Sequence, residues 1–334
     1  MEDDRISLAH GNGGRFMREL IDEIFARHLA NDDLDVRADA VPLKLDEGEV
    51  LFTTDGFTVQ PLEFPGGDIG ALAVHGTCND LAVAGARPCY LSLNAFIEEG
   101  LEVAVLDRII GSLAKAAAEA GVRVAAGDTK VLRRGEGGGL YLATTGVGVR
   151  LPGVRPSFDH IRAGDAIIVS GPIGDHGTAV MLAREDFGLR GDLQSDAASI
   201  AHLAARLLDF DGLRFMRDPT RGGLATVTHE IAAITGLGVR LLAPDVPVRE
   251  PVQAVCEMLG YDPYYLACEG RVVAVMDPAQ ADEAVAALRE LPGGDLAARI
   301  GHVTDASQRV VLETELGGER YLEELEDDPL PRIC

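Results

Sequence analysis

Apolar residues recur at spacings of three and four over Phe16, Leu20, Ile21, Ile24, Phe25 and Leu29, which predicts an amphipathic helix behind a polar, glycine-rich arm at 1–14. The period then changes. "EVLFTTDGFTVQ" predicts a strand that stops at Asp55-Gly56. In "PGGDIGALAVHGTCNDLAVAGARP", Asp68 is placed to cap a helix that must end before Pro88. "CYLSLNAFI" reads as a strand, and 101–120 as an alanine-rich helix with Leu101, Val105, Ile109 and Leu113 on one side. "VRVAAGDTKVL" is expected to be a strand running into a turn, followed by another strand at "LYLATTGVGV".

The Pro- and Gly-rich stretch "LPGVRPSFDHIRAG" at 151–164 marks a boundary. Beyond it, "DAIIVSGPIGDHGTAVML" reads as strand, Gly-rich turn and helix, and "MRDPTRGGLATVTHEIAAITG" as a loop and a helix. "YYLACEGRVVAVM" reads as a strand interrupted at Glu269-Gly270, and 278–290 as a helix. Helices and strands alternate in both halves, which predicts two α/β domains. The expected division is an arm and helix at 1–35, an N-terminal domain at 36–150, a C-terminal domain at 151–312, and a mobile acidic tail at 313–334. That tail holds Glu313, Glu315, Glu319, Glu323, Glu324, Glu326, Asp327 and Asp328 against Arg320 and Arg332, so it has little apolar surface to bury. Ten extended residues of it would reach roughly 33 Å.

Composition adds limits. The 334 residues carry a formal net charge of −24, a field that repels nucleic-acid phosphates and anionic membranes, so neither is expected as a partner. "MEDDRISLAHGNGG" has neither the basic nor the apolar region of a signal peptide, and no apolar run is long enough for a membrane span. The five cysteines, Cys78, Cys89, Cys256, Cys268 and Cys334, lack paired spacing, which speaks against a disulfide framework or structural zinc and for a reduced, cytoplasmic protein.

Short aspartate-containing turns recur at expected element ends: "TTDG" (Asp55), "TCND" (Asp80), "AAGDTK" (Asp128) and "RDPTRGG" (Asp218). Hard cations take carboxylate and phosphate oxygens, so aspartates converging from several loops could hold Mg²⁺ on a nucleoside triphosphate. Neighbouring glycines such as Gly56 would let backbone N–H groups approach the phosphates. One Asp-Gly alone is an ordinary turn; four together, with Lys130 and Arg221 beside two of them, suggest an Mg-nucleotide enzyme. Lys130 is either a charge neutraliser for a transferring phosphoryl group or a plain surface lysine. Glu269 is either a general base made basic by apolar surroundings, or the partner of Arg271 in a salt bridge or strand bulge. His176 in "SGPIGDHG" sits on a turn suited to a ligand, although Asp175 as a helix cap explains much of that motif.

Taken in order, "HGNGG", "TTDGFTVQPLEFPGGDIG", "HGTCNDLAVAGARP", "AAGDTKV", "SGPIGDHG", "RDPTRGGLA", "ACEGR" and the terminal "PRIC" resemble the hydrogenase-maturation carbamoyl dehydratases (the HypE family) from about His10 to Cys334. These belong to the aminoimidazole ribonucleotide synthetase and selenophosphate synthetase superfamily. The resemblance implies N-terminal sheets that pair into a barrel-like homodimer core, and ATP held through Mg²⁺. By motif match Asp55, Asp80, Asp128 and Asp218 would be the metal and phosphate ligands, with Gly56, Asn79, Thr129 and Arg221 beside the nucleotide. Cys78 stands where an aliphatic residue is expected in "GT-ND".

The resemblance also accounts for the terminal thiol. A partner carbamoyltransferase would load a carboxamide on Cys334, and ATP-dependent dehydration would turn it into a thiocyanate. Lys130 would stabilise charge and Glu269 would act as base. The cyano group would pass to iron on a scaffold complex during [NiFe]-hydrogenase assembly. Two rival readings compete: another ATP-dependent enzyme of the superfamily, and a non-catalytic docking protein using its C-terminal peptide.

Overall fold

The computed structural model describes residues 4–11, 15–36, 38, 41–45, 47–153, 155–184 and 192–325. They divide into two compact units, the first reaching Arg150 and the second beginning at Leu151, with Ala82–Gly85 counted in the second.

In the first unit, α1 (Arg15–Leu20), a π turn at Ile21–Ala26 and α2 (Arg27–Leu29) run on as one helical stretch. It buries Leu20, Ile24, Phe25 and Leu29, while Phe16 stays exposed. There follow β1 (Val50–Phe57), the two-residue ribbon β2 (Glu63–Phe64) and β3 (Gly67–Asp68), α3 (Ile69–Val83), β4 (Ala86–Glu98), α4 (Val103–Ala120), β5 (Arg123–Leu132) and β6 (Leu140–Arg150). Asp68 Oδ1 accepts from the N–H of Gly70 at 2.7 Å and Ala71 at 3.0 Å, the expected N-cap. Because α3 is apolar on nearly every side, it is buried on nearly every side. α4 instead buries a stripe, Leu106, Ile109, Ile110, Leu113, Ala116 and Ala117.

The main sheet of this unit has the order β1-β6-β4-β5. Its β4 and β5 are parallel, joined through α4 as a parallel pair requires, and the other pairs are antiparallel. One face packs Phe57, Leu93, Ala95, Ile97, Leu140 and Leu142 inward; on the other, Phe52 is 70% and Phe96 37% exposed. The strand expected to stop at Asp55-Gly56 runs on: Asp55 is in register with Thr144, and Gly56 with Ala143.

The second unit holds β7 (Ala166–Val169), α5 (Asp175–Arg184), α6 (Ala201–Leu208), β8 (Leu213–Arg217), α7 (Gly223–Thr235), β9 (Gly238–Leu242), α8 (Glu250–Leu259), β10 (Val273–Met276), α9 (Pro278–Arg289), β11 (Ala298–Thr304), β12 (Val310–Glu313) and β13 (Glu319–Tyr321). Its seven-stranded sheet has the order β13-β12-β9-β11-β7-β10-β8. All ladders are antiparallel except β12 with β9.

Strands with both faces covered read as unbroken apolar runs, and β7 (AIIV) and β10 (VAVM) are of that kind. Ile167, Val169, Val273 and Val275 share a core with Leu224, Val227 and Ile231 of α7. Ala166, Ile168, Ala274 and Met276 share the opposite core with α6 and α9. Burying each such Val, Ile or Met contributes about 1.5–3 kcal/mol.

Two expectations change here. The strand drawn through "YYLACEGRVVAVM" is only Val273–Met276. Before it, Asp262 caps a 3₁₀ turn at Pro263–Tyr265, a proline start that suits a turn better than a ladder. The segment expected to be a mobile tail from Glu313 forms β13 against β12, and Leu322 is buried behind it. No helix among the described residues is long and apolar enough to cross a membrane.

Candidate functional site

Pleating decides what the first-unit aspartates face. Thr53, Asp55 and Phe57 alternate onto the side of β1 that meets α3, and the Thr53 hydroxyl donates to Asp80 Oδ2 at 2.9 Å. Asp55 Oδ2 lies 3.7 Å from where a Cβ on Gly76 would stand, one helical turn before Asp80. Asp55 and Asp80 thus flank the same face of α3. Thr77 and Thr144 share a hydrogen bond on this face, and Asn79 is buried beside Asp80 in sequence.

Asp128 is placed differently. It lies inside β5, in register with Asn94, not in the turn expected from "AAGDTK". Thr129 points inward and is buried, so Asp128 and Lys130 share the opposite sheet face. Lys130 Nζ stands 2.9 Å from Asp128 Oδ2, and both side chains are more than half exposed. Such a pair contributes at most about 1 kcal/mol, so the ammonium is free to leave it for a better anion. β1 and β5 sit at opposite edges of the sheet, three strand spacings or about 14 Å apart. Within this unit, Asp55 and Asp80 lie on the α3 side of β1, whereas Asp128 lies on the far edge strand and on the other face of the sheet. Among the described residues no three carboxylate, His or Cys side chains converge to hold a metal. Mg²⁺ characteristically takes one or two carboxylates plus phosphate oxygens, and the Asp55–Asp80 pair fits that demand.

In the second unit, Asp218 is buried in the loop after β8. That loop is tied to the "LACEG" segment by the Cys268 N–H, which donates to the Pro219 carbonyl at 3.0 Å. Arg221 is exposed on the turn before α7. Gly223 opens α7 at φ +58°, and a Cβ there would stand 2.5 Å from the Leu266 carbonyl oxygen and 2.7 Å from that of Tyr264. Gly223→Ala is therefore expected to destabilise the protein by about 1–3 kcal/mol, read as a lower denaturant midpoint at unchanged slope.

Glu269 is 3% exposed and sits in a loop, not in the strand expected around it. Its N–H donates to Asp196 Oδ1 at 3.1 Å. Arg271, which one of the alternative readings paired with Glu269, spreads its guanidinium over two aspartates. Nη2 lies 3.4 Å from Asp175 Oδ2 and Nε 3.3 Å from Asp196 Oδ2. Arg249 adds a 2.9 Å contact to Asp175 Oδ2, so Asp175 serves this network where a helix cap was expected. Burial pushes the Asp196 and Asp175 carboxyls up, while the guanidinium groups pull them back. His176 is fully buried, with Nδ1 2.8 Å from Ser195 Oγ. Cys268 Sγ accepts from the Gly174 N–H at 3.2 Å. The root of the tail is fastened nearby: the Tyr265 hydroxyl donates to the Glu323 carbonyl at 2.7 Å, and His229 Nε2 lies 2.8 Å from the Leu322 carbonyl oxygen. Cys334 lies outside the described residues, as do Asn12–Gly14 of "HGNGG".

Residues 37–150 match the N-terminal domain of AIR synthase related proteins, and 162–313 match their C-terminal domain. Carbamoyl dehydratase HypE of Azotobacter vinelandii is 48% identical over 331 residues, covering 98% of this chain and 97% of the relative. The chain belongs to the carbamoyl dehydratase family. A crystal structure of the hydrogenase maturation protein HypE in complex with ATP is 46% identical, covers 98% of this chain and 99% of its own, and superposes with a TM-score of 0.93. A HypE–HypF complex gives 41% identity, coverage of 92% and 99%, and a TM-score of 0.81.

For a carbamoyl dehydratase, the unforeseen feature is the Arg249–Asp175–Arg271–Asp196 network beside Glu269. Asp196 escaped sequence reasoning because "DLQSDAAS" has neither periodicity nor a motif. Its meaning comes from Arg271, 75 positions later. The only local hint was "GDHG", which drew attention to Asp175.

Proposed function

We propose that this chain uses ATP to dehydrate a carboxamide carried on the sulfur of Cys334, leaving a thiocyanate that supplies cyanide for the iron of a [NiFe]-hydrogenase. The full-length match to carbamoyl dehydratases carries this reading. The HypE relative crystallised with ATP supports nucleotide binding. The HypE–HypF complex supports a partner that loads the carbamoyl group.

An amide oxygen is a poor leaving group. Once it has attacked the γ-phosphorus of ATP and ADP has left, it departs as phosphate. The two N–H protons are lost, one from the phosphorylated amide and one as the C–O bond breaks, and the nitrogen lone pairs close the C≡N bond. Asp55 and Asp80 would hold Mg²⁺, which when bound screens phosphate charge, and Asp128 and Asp218 are proposed as further carboxylate ligands for such cations. Gly56, Asn79, Thr129 and Arg221 line the nucleotide. Lys130 neutralises charge as it develops on the amide oxygen. Glu269, withheld from water, takes the proton. The open sheet face bearing Phe52 and Phe96 is proposed to pair with a second copy, and a scaffold complex accepts the cyanide.

The test is intact-mass spectrometry of the chain with its carbamoyl donor system. A carboxamide should appear on Cys334, followed by loss of one water only when both ATP and magnesium are present. Water loss without ATP, or a carboxamide that never reaches Cys334, overturns the reading.

A further inference from the structure

The loop carrying Glu269 has little regular structure to hold it, and one buried aspartate, Asp196, takes hold of its backbone. Asp196 Oδ1 accepts the Glu269 N–H, and Oδ2 faces Arg271 Nε in an ion pair without a well-aligned hydrogen bond. The main chain at Asp196 also fills the space beside Gly270: a Cβ at Gly270 would stand 1.8 Å from the Asp196 carbonyl oxygen. Arg271 is then locked from three further sides. Nε donates to the Pro172 carbonyl at 2.9 Å, Nη1 to the Gly293 carbonyl at 3.1 Å, and Nη2 reaches Asp175.

Thus residues 269–271 are gripped from both ends, their first N–H by the Asp196 carboxylate and their last side chain, a guanidinium, by two backbone carbonyls and two aspartates. A buried charge is retained only where it is paired and hydrogen-bonded, and this one spends an acceptor on the backbone of the loop that presents the base. We infer that Asp196 is the positioning residue for Glu269: it fixes the peptide from which the base projects, and it acts through Glu269, not on substrate. This rests on the reading of Glu269 as the base. A misplacement of about 1 Å in a catalytic group costs on the order of 100-fold in rate, so an anchor on this peptide matters more than its own hydrogen bond.

The experiment compares two double variants of the full chain that remove the buried charge pair equally. In Asp196→Asn/Arg271→Gln, an amide oxygen still accepts the Glu269 N–H. In Asp196→Ala/Arg271→Gln, nothing does. Because both forms lack the Arg271 anchor equally, the Ala form is expected to fall below the Asn form in dehydration kcat on the order of 10- to 100-fold. Both should retain the KM for ATP and the extent of Cys334 carbamoylation. If the Ala form does not fold, Asp196→Ser/Arg271→Gln replaces it, since a serine hydroxyl is too short to span the same contact. Equal kcat in the two forms, or a rise in KM for ATP that accounts for the loss, overturns the inference. Glu269→Gln run alongside separates the two claims: if it dehydrates normally, the base assignment has failed, and if it is inactive while the two Asp196 forms are equal, only the anchor has failed.

Discussion

Cys334→Ala is expected to leave folding and ATP binding intact and to abolish formation of carbamoylated and cyanated chain altogether. The reason lies in the other four cysteines. Carbamoyl capture needs an accessible thiolate. Cys78, Cys256 and Cys268 are buried. Burial holds the first two thiols up at about 12 and about 11 and the third well above its ordinary value. At neutral pH they stay protonated and out of reach. Cys89 is half-buried, and its thiol is directed at the Arg87 carbonyl oxygen 3.4 Å away. The three buried thiols cannot stand in for Cys334, and Cys89 is held within β4, far from the chain end in sequence, so the loss should be complete. Intact mass checks it, with nucleotide binding measured by calorimetry as the control. Cyanated product from the variant would show that the cargo rides elsewhere.

The second large effect is expected from Glu269→Gln, which should slow dehydration by about 10²- to 10⁴-fold, the usual contribution of a positioned general base, while carbamoylation of Cys334 proceeds at the parent rate. The isosteric amide keeps the Glu269 N–H contact to Asp196 and removes only the proton acceptor. The variant should therefore accumulate the carbamoylated chain, visible as a mass species that forms and does not lose water. Lys130→Ala should stall at the same species for a different reason. Its ammonium leaves an exposed pairing with Asp128, so its removal costs the fold little. Normal thiocyanate formation by either variant would remove that residue from the chemistry.

The parts of this fold legible in the sequence were those whose physics is local. Asp68 could be read as a cap because an N-cap answers to the next three residues. β7 was legible as the strand opening "DAIIVSG", whereas β10 was legible only inside a strand drawn too far back, through Tyr264 and Glu269. Asp55-Gly56 misled because Asp-Gly favours turns, whereas here cross-strand pairing with Thr144 and Ala143 overrides that preference. Asp128 misled for the same reason. β13 was hidden by its polar residues, which suit the edge strand it is.

In the candidate site, motif residues were visible, but their grouping was not. The pleat of β1 and β5 separates Asp55 and Asp80 from Asp128, and no spacing rule reports which side of a sheet a residue takes until the core is known. Asp196 had no visible signal, since its partners are distant in the chain.

The fastening of Glu323 to Tyr265 and of Leu322 to His229 has a kinetic meaning. Nine residues follow Leu325 up to Cys334, a length of chain that could span at most roughly 30 Å. On the proposed function, a sulfur joined by so short a segment would meet the catalytic groups at an effective concentration in the millimolar range, set by the connection and not by how dilute the enzyme is. Turnover of the loaded cysteine should then follow first-order decay at any protein concentration that keeps the assembly together, and lengthening the connection with inserted glycines should slow it smoothly.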